Sequence, residues 1–346
     1  MNIGVGLIGA RRRPDGYGLG QFMAREFLNY PLSRLVAIMG TTPQTLQQAI
    51  TDLNKRDDLS NKFDGTVYTI EEEENFFNNP YIDLVAICSP SDTHEHYIKQ
   101  GLKYSKHILV EKPFLNTNPA ILFEQNIKKA DKLVKLANSK DLLLSTNCQR
   151  VANIPILCEE YNLPKNPYSI EIELNVGTKS EKLESTRNLF ELLITHPLSL
   201  LVKYGMTDIK SLDITNYSHN MSSDLSFLVI EGTYDSGERN FTYRIKLQQS
   251  RDVHFANMKV NIDNKGPVLI NSEYAPNGEI RTIYEKTGEG IIRYSTDNLQ
   301  TAVTSIVDAV YYRDKSHLPL ITNNESFLIY TLQLKLKMIY LSGDYG

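Results

Sequence analysis

The stretches LVAICSP at residues 84–90 and HILVEKPF at residues 107–114 decide the fold of this chain. Each contains a short apolar run rich in Val and Ile, and a polar segment of helical length separates them. This pattern is typical of two parallel strands joined by a crossover helix. Ligands of an open α/β sheet bind beyond the carboxyl ends of its strands, so we expect Glu111 and Lys112 to lie beside a ligand.

Three short motifs in this stretch carry a family resemblance. They are Ser89-Pro90 after the first strand, His94 four residues beyond the proline, and Glu111-Lys112-Pro113 at the end of the second strand. In this arrangement the chain resembles the Gfo/Idh/MocA family of nicotinamide-dependent oxidoreductases. The resemblance implies α/β plus α+β architecture, with an N-terminal Rossmann-type parallel sheet and a C-terminal, mostly antiparallel open-sheet domain.

The resemblance also implies roles for these residues. Ser89, Pro90 and Glu111 are expected to contact the cofactor. His94 is expected to be structural or to lie next to the cofactor, rather than to be catalytic. Lys112 is expected both to contact the cofactor and to donate or accept the proton during hydride transfer, because burial near a cationic nicotinamide lowers an amine pKa toward neutrality. The alternative is that Lys112 merely ends an exposed strand.

Composition narrows the class of protein. The length of 346 residues is enough for two domains, and the formal net charge of -4 argues against nucleic-acid or anionic-membrane partners. The cysteines lie among apolar neighbours, which favours free thiols in a reducing compartment. Neither a signal peptide nor an apolar run of bilayer length is visible, so we expect a cytoplasmic protein.

A glycine-rich turn follows the first strand, at residues 3–8. The match of residues 4–9 to G-x-G-x-x-G is rejected because its first glycines lie within the strand. The useful turn starts at residue 9 and precedes an amphipathic helix, whose free N–H groups favour a phosphate. The alternative is a surface loop with a basic tip. The candidate cofactor contacts are Gly9, Ala10, Arg11, Arg12, Gly18 and Gly20.

The next strand, at residues 35–39, ends in Gly40-Thr41-Thr42-Pro43. A site that prefers NAD normally has an Asp or Glu there to bind the ribose 2′-OH. Its absence beside three arginines favours NADP, with NAD as the alternative, and makes Thr41 and Thr42 candidate cofactor contacts. Thr42 before Pro43 is also a good helix N-cap.

The pattern divides the chain into three parts. Residues 1–146 form the dinucleotide-binding domain, residues 147–322 form an α+β domain for substrate and oligomerisation, and residues 323–346 form a helix that returns to the first domain. Strand candidates in the second part are separated by turn signals such as residues 235–237 and 276–278. The resemblance implies a homodimer or homotetramer formed through the C-terminal sheet.

A second catalytic candidate is His196, in an apolar helical stretch at residues 189–201 that resembles the family helix with Asp-x-x-x-His. The aspartate position is Leu192, and Glu191 lies five residues from the histidine, which turns it to another helix face. Pro197 marks a kink or a helix start. The alternative is a buried structural histidine. Without the acid, reduction of a C=O or C=N group is favoured over oxidation of a sugar hydroxyl.

The leading hypothesis is therefore an NAD(P)-dependent oxidoreductase acting on a small polar metabolite, either a sugar derivative or a biosynthetic intermediate. A second hypothesis is a catalytically silent NADP-binding sensor or regulatory subunit. It is motivated by Leu192 at the aspartate position and by the glycine turn, which is longer than the family's usual turn and has Arg11 where a second glycine is expected. A third is a NAD-assisted glycosidase, since the family includes such enzymes. No sequence motif indicates a bound metal.

Overall fold

The computed structural model describes residues 2–11, 19–117, 123–177, 183–222, 224–251, 257–274, 280–286, 288, 292–295, 297–316 and 320–342. The chain forms two compact units. The first contains Met1–Gln149 and Leu299–Phe327, and the second contains Arg150–Asn298 and Leu328–Gly346. The chain thus returns to its first unit at Leu299 and to its second at Leu328. The sequence pattern instead keeps residues 147–322 in one domain and returns residues 323–346 to the first.

The described strands are β1 (Ile3–Ile8), β2 (Ser33–Gly40), β3 (Thr66–Thr69), β4 (Leu84–Ile87), β5 (His107–Glu111), β6 (Leu144–Asn147), β7 (Ser169–Gly177), β8 (Leu212–Met221), β9 (Leu225–Asp235), β10 (Asn240–Ser250), β11 (Asn257–Ile262), β12 (Val268–Tyr274), β13 (Ile280–Lys286) and β14 (Ile292–Ser295). The described α-helices are α1 (Gly20–Asn29), α2 (Pro43–Asn54), α3 (Glu73–Asn78), α4 (His94–Lys103), α5 (Phe123–Ser139), α6 (Ile154–Glu159), α7 (Thr186–Leu193), α8 (Thr195–Lys203), α9 (Asn298–Tyr311) and α10 (Asn323–Ser342). Strands and helices alternate up to β6, and strands dominate from β7 to β14.

The sheet of the first unit is parallel. Among the described residues it contains six strands in the order β3-β2-β1-β4-β5-β6, so the direction of winding reverses between β1 and β4. Every residue of β1 and β4 is buried, as expected for strands covered by helices on both faces. The predicted Rossmann-type sheet is confirmed.

Helix α9 packs into this first unit, which the sequence pattern did not anticipate. Leu299, Val303, Ile306 and Val307 are buried in the same apolar core as the residues of β1 and α1. These four positions recur at helical spacing, so one face of α9 is apolar. Burying that face on the first unit explains why the return of the chain begins before residue 323.

The sheet of the second unit is mostly antiparallel, as predicted. Its eight described strands have the order β14-β13-β12-β11-β7-β10-β9-β8, and β7 pairs in parallel with β10. The other neighbouring pairs are antiparallel. Strand β12 was not among the predicted strands, because the polar run Asn271-Ser272-Glu273 obscures its alternation.

The two faces of this second sheet differ in polarity. In β7, Ile170, Ile172 and Leu174 are buried, while the intervening Glu171 and Glu173 lie on the opposite face. That face carries cross-strand ion pairs, with Lys246 Nζ 2.9 Å from Glu173 Oε1 and Arg244 Nε 2.8 Å from Glu231 Oε1.

None of the described helices has the length and apolar composition of a membrane-spanning segment.

Candidate active site

A cavity of about 380 Å³ lies where the winding of the parallel sheet reverses. The residues that follow β1, β2 and β4 form its walls, together with the first turns of α2 and part of α4. This is the edge at which open α/β sheets bind ligands. Polar and basic contributions to the lining come from Arg11, Thr41, Thr45, Ser89 and Tyr97.

Gly9 brings the backbone after β1 against the end of β4. Its φ is +86°, and a Cβ built on it would lie 2.9 Å from the carbonyl carbon and oxygen of Cys88. The N–H of Gly9 donates to the Met39 carbonyl at 3.1 Å, which holds the turn to β2 as well. A side chain at this position is therefore excluded, and Gly9 lines the cavity with its backbone alone.

Gly20, the first residue of α1, allows that helix to approach the turn. A Cβ at position 20 would lie 2.0 Å from the carbonyl oxygen of Gly9. The residue before it, Leu19, has no polar side-chain atom and cannot cap the first N–H groups of α1. Ala10 is buried and Arg11 is exposed, and both line the cavity. The predicted contacts Arg12 and Gly18 lie outside the described residues.

The end of β2 presents hydroxyl groups rather than a carboxylate. Thr41 and Thr45 line the cavity, and no Asp or Glu of the described residues does. Thr42 is the N-cap of α2: its Oγ1 accepts a hydrogen bond from the Thr45 N–H at 3.2 Å, and Pro43 occupies the first helical position. The Thr42 hydroxyl is thus engaged by the helix, whereas Thr41 faces the cavity.

His94 joins the segments that follow β4 and β5. Its Nε2 lies 2.9 Å from the Ser89 carbonyl oxygen and its Nδ1 lies 2.9 Å from the Pro113 carbonyl oxygen. The side chain is buried, and burial lowers the pKa of the imidazole despite both backbone contacts. His94 therefore holds the turn that carries Ser89 and Pro90, and it also positions the segment that carries Lys112.

Lys112 follows β5 and is half-buried at the same edge of the sheet. Burial lowers the pKa of its amine, while the neighbouring Glu111 and then Cys148 act in the opposite direction. The Glu111 carboxylate accepts a hydrogen bond from Asn147 Nδ2 at 2.5 Å. Burial raises the pKa of Glu111, and the Asn147 bond and the charge of Lys112 oppose that shift. An amine, a carboxylate and an amide thus meet at the ends of β5 and β6.

His196 lies in the second unit, on the first turn of α8. The predicted continuous helix is two helices: α7 ends at Leu193, α8 begins at Thr195, and Pro197 therefore marks a helix start. His196 is 9% exposed. Glu191, whose position argued against its replacing the missing acid, forms an ion pair with the buried Lys337 of α10.

Three residues of the first unit were not singled out from the sequence as site residues. Thr45 and Tyr97 line the cavity, and Asn147 binds Glu111. Thr45 could have been found from the helix that Pro43 starts, since the first turn of that helix faces the strand ends. The contact of Asn147 with Glu111 depends on the pairing of β6 with β5, which the sequence does not display.

Among the described residues, no group of three or more His, Cys, Asp or Glu side chains could hold a metal ion.

Comparison with known proteins gives matches concentrated in the first unit. Residues 3–148 match a family described as an oxidoreductase family with an NAD-binding Rossmann fold. The uncharacterized oxidoreductase YdgJ of Escherichia coli strain K12 is 35% identical over 145 residues, which are 42% of this chain and 34% of that relative. The match to this relative thus spans about a third of its length.

Solved structures resemble nearly the whole chain. UDP-N-acetylglucosamine 3-dehydrogenase GnnA from Acidithiobacillus ferrooxidans has a TM-score of 0.65 and 16% identity, with 98% of this chain and 97% of that chain covered. A variant of KijD10, a 3-ketoreductase from Actinomadura kijaniata in complex with TDP-benzene and NADP, has a TM-score of 0.64 and 14% identity, with 97% and 96% covered. At these identities the likeness shows a shared fold.

Proposed function

We propose that this chain is an NAD(P)-dependent dehydrogenase or reductase. The premise is that residues 3–148 belong to the Gfo/Idh/MocA oxidoreductase family. The observation that carries the proposal is the position of Lys112. Its half-buried amine, of lowered pKa, follows a strand end at the sheet edge where the cavity lies. A proton donor placed there is what hydride transfer to a carbonyl or imine requires.

The residues around the cavity fit a dinucleotide. Gly9 lines the cavity without a side chain, since a Cβ there would overlap the Cys88 backbone, and the N-terminus of α1, which the Leu19 side chain does not cap, lies against it. These backbone N–H groups suit a pyrophosphate. Ser89, Pro90 and Tyr97 form the wall on the β4 side. When bound, the nicotinamide supplies or accepts the hydride.

The chain's own contribution to the reaction is proton transfer and orientation. Lys112 donates a proton to the substrate oxygen or nitrogen during reduction, or accepts one during oxidation, and its lowered pKa makes release of the proton easier than from an ordinary lysine. His94 fixes the segment that carries the lysine through its contact with Pro113. We propose that His196 assists as a second proton-transferring or orienting group.

We propose NADP as the preferred cofactor. The support is the absence of an Asp or Glu among the described residues that line the cavity, together with Arg11 and the hydroxyl groups of Thr41 and Thr45. A carboxylate would repel a 2′-phosphate, whereas a guanidinium and hydroxyls bind one. NAD is the alternative, and fluorescence titration of both reduced cofactors distinguishes them.

The proposed substrate is a small polar metabolite, most simply a sugar derivative with a C=O or C=N group to be reduced. Two structures of the same fold are named as a UDP-N-acetylglucosamine 3-dehydrogenase and a 3-ketoreductase, which supports sugar derivatives. The test is a screen of keto sugars and sugar nucleotides with NADPH, in which the loss of NADPH absorbance measures the reaction.

We also propose a homodimer or homotetramer formed through the second sheet, to be checked by light scattering.

A catalytically silent, NADP-binding sensor is the second candidate. Leu192 stands where an acid is expected, and Glu191 is held by Lys337 rather than being available to replace it. Tight NADPH binding with no hydride transfer to any carbonyl or imine in the screen, and a stable protein partner, would favour the sensor. Sugar release without net change in NADPH would instead indicate a glycosidase.

A further inference from the structure

Asn147 occupies the last position of β6, directly opposite the last position of β5. The strand register pairs Asn147 with Glu111, and the amide Nδ2 donates to Glu111 Oε1 at 2.5 Å. Asn147 is 2% exposed, and the end of its strand is held by a hydrogen bond of 3.0 Å between the Thr146 N–H and Ser326 Oγ of α10. The amide donor is therefore held rigidly against the carboxylate.

The amide is not explained by stability alone. Within the part of the chain that the structure describes, Oδ1 of Asn147 is buried and accepts no hydrogen bond. An unbonded buried polar atom destabilises a fold, and an apolar side chain of similar size would avoid that cost. What the asparagine adds is a donor to Glu111, the residue next to Lys112 in the chain.

We propose that Asn147 is a positioning residue that keeps Glu111 ionised and thereby sets the proton affinity of the Lys112 amine. Burial favours the neutral form of Glu111, and a donated hydrogen bond favours the anion. The anion in turn stabilises the Lys112 ammonium. This inference rests on the proposed role of Lys112 in proton transfer, and adds the device that adjusts its pKa.

Two cysteine thiols also face this pair. Cys88 faces Glu111 from the end of β4, and burial, reinforced by Glu111, raises its thiol pKa, so it remains neutral at physiological pH. Cys148 follows Asn147 and faces Lys112. Glu111 raises the pKa of Lys112 more than Cys148 does, so its carboxylate is the larger of these two charges beside the amine.

The test measures the pKa of Lys112 without any substrate. The full-length protein is labelled with trace acetic anhydride at a series of pH values, and acetylation of the Lys112 peptide is quantified by mass spectrometry against a free reference amine. Replacing Asn147→Leu is expected to lower the Lys112 pKa by about one pH unit, because the unsupported Glu111 takes up a proton. At a pH below the Lys112 pKa of both proteins, acetylation of Lys112 is then about tenfold faster in Asn147→Leu than in the unchanged protein.

Two further variants separate charge from structure. Glu111→Gln removes the carboxylate and is expected to lower the Lys112 pKa as far as Asn147→Leu does. Asn147→Asp also removes the donor but leaves one negative charge in the pair, so the Lys112 pKa is expected to stay or rise. The matched control is Asn138→Leu in α5, which removes the amide oxygen that accepts a hydrogen bond from Asn323 Nδ2 at 2.8 Å.

Two results would overturn the proposal: an unchanged Lys112 pKa in Asn147→Leu, or equal Lys112 pKa shifts in Asn147→Leu and Asn147→Asp. Either result is expected if the Asn147 amide has only a structural role. If Asn147→Leu does not fold, an unshifted pKa in Glu111→Gln overturns it equally. Because labelling needs no turnover, a protein that lacks the proposed oxidoreductase activity still yields these values, and the two failures are distinguishable.

Discussion

Gly20 lies directly against Gly9, with the carbonyl oxygen of Gly9 only 2.0 Å from where a Cβ of residue 20 would stand. The contact joins the turn after β1 to the first residue of α1. It thereby places the N-terminus of α1 against Gly9, which lines the cavity at the reversal of the sheet. A side chain at Gly20 would force α1 away from the turn, and one at Gly9 would overlap the backbone of Cys88 after β4.

Gly20→Ala is expected to lower the free energy of unfolding by about 1–3 kcal/mol, since the added methyl overlaps a backbone atom in a packed region. It is also expected to weaken NADPH binding, because α1 must shift away from the turn. Gly237→Ala is the control for NADPH binding: its positive φ strains any side chain, but nothing lies within 4 Å of the added Cβ. Thermal unfolding and fluorescence titration measure both effects. Equal NADPH affinity in the two variants would contradict the proposed phosphate site.

Lys112→Ala is expected to reduce turnover by about 10²- to 10⁴-fold, because the proton donor of the reaction is lost. NADPH affinity should change much less, which fluorescence titration checks. Lys135→Ala is the matched control, since Lys135 is exposed on α5 and pairs with Asp131 at 2.7 Å. A folded, NADPH-binding Lys112→Ala protein with undiminished turnover would refute the role of this lysine.

The pH dependence of stability should report the burial of His94. Its folded-state pKa lies below the ordinary value of 6.5, so the unfolded chain binds the proton more readily. The contribution of neutral His94 to the free energy of unfolding is fully present above pH 6.5. It falls as the pH drops toward the folded-state pKa, by up to about 1.4 kcal/mol per pH unit. Half-buried His107, whose pKa is also lowered by burial, contributes in the same direction.

Replacing His94→Asn should flatten this dependence in urea unfolding measured across that pH window. It should also lower stability at neutral pH, since contacts with Ser89 and Pro113 are lost. His96→Asn is the control, because His96 is exposed on α4 and binds Glu73 at 2.8 Å. An unchanged slope in His94→Asn would show that the protonation of this residue is not linked to folding.

Cofactor choice should depend on Arg11. Arg11→Ala is expected to weaken NADPH binding by about 10- to 100-fold, the worth of a hydrogen bond to a charged group, and to leave NADH binding nearly unchanged. Arg34→Ala removes an exposed arginine of β2 that lies 3.5 Å from Asp64, and it should affect neither cofactor. Equal losses for NADPH and NADH in Arg11→Ala would show that the guanidinium does not discriminate the 2′-phosphate.

The parallel sheet was predictable because its signals are local. The apolar runs of β1, β4 and β5 are short and bounded by turn residues, and Thr42 with Pro43 announces the start of α2. Helix α9 escaped prediction although its apolar positions recur at helical spacing, since they follow a run of strands. In the second unit, the separation of α7 from α8 was left open by Pro197 and decided by the fold.

By itself, the sequence determined the strands β1, β2, β4 and β5 of the parallel sheet, the glycine turn after β1 and the placement of Glu111 and Lys112 at a strand end. These features follow from hydrophobic periodicity and turn chemistry, which act between residues close in the chain. Only the tertiary structure decided that Asn147 meets Glu111, that His94 binds Pro113 and that Lys337 engages Glu191. Those contacts depend on strand register and on helix packing, which bring together residues distant in sequence.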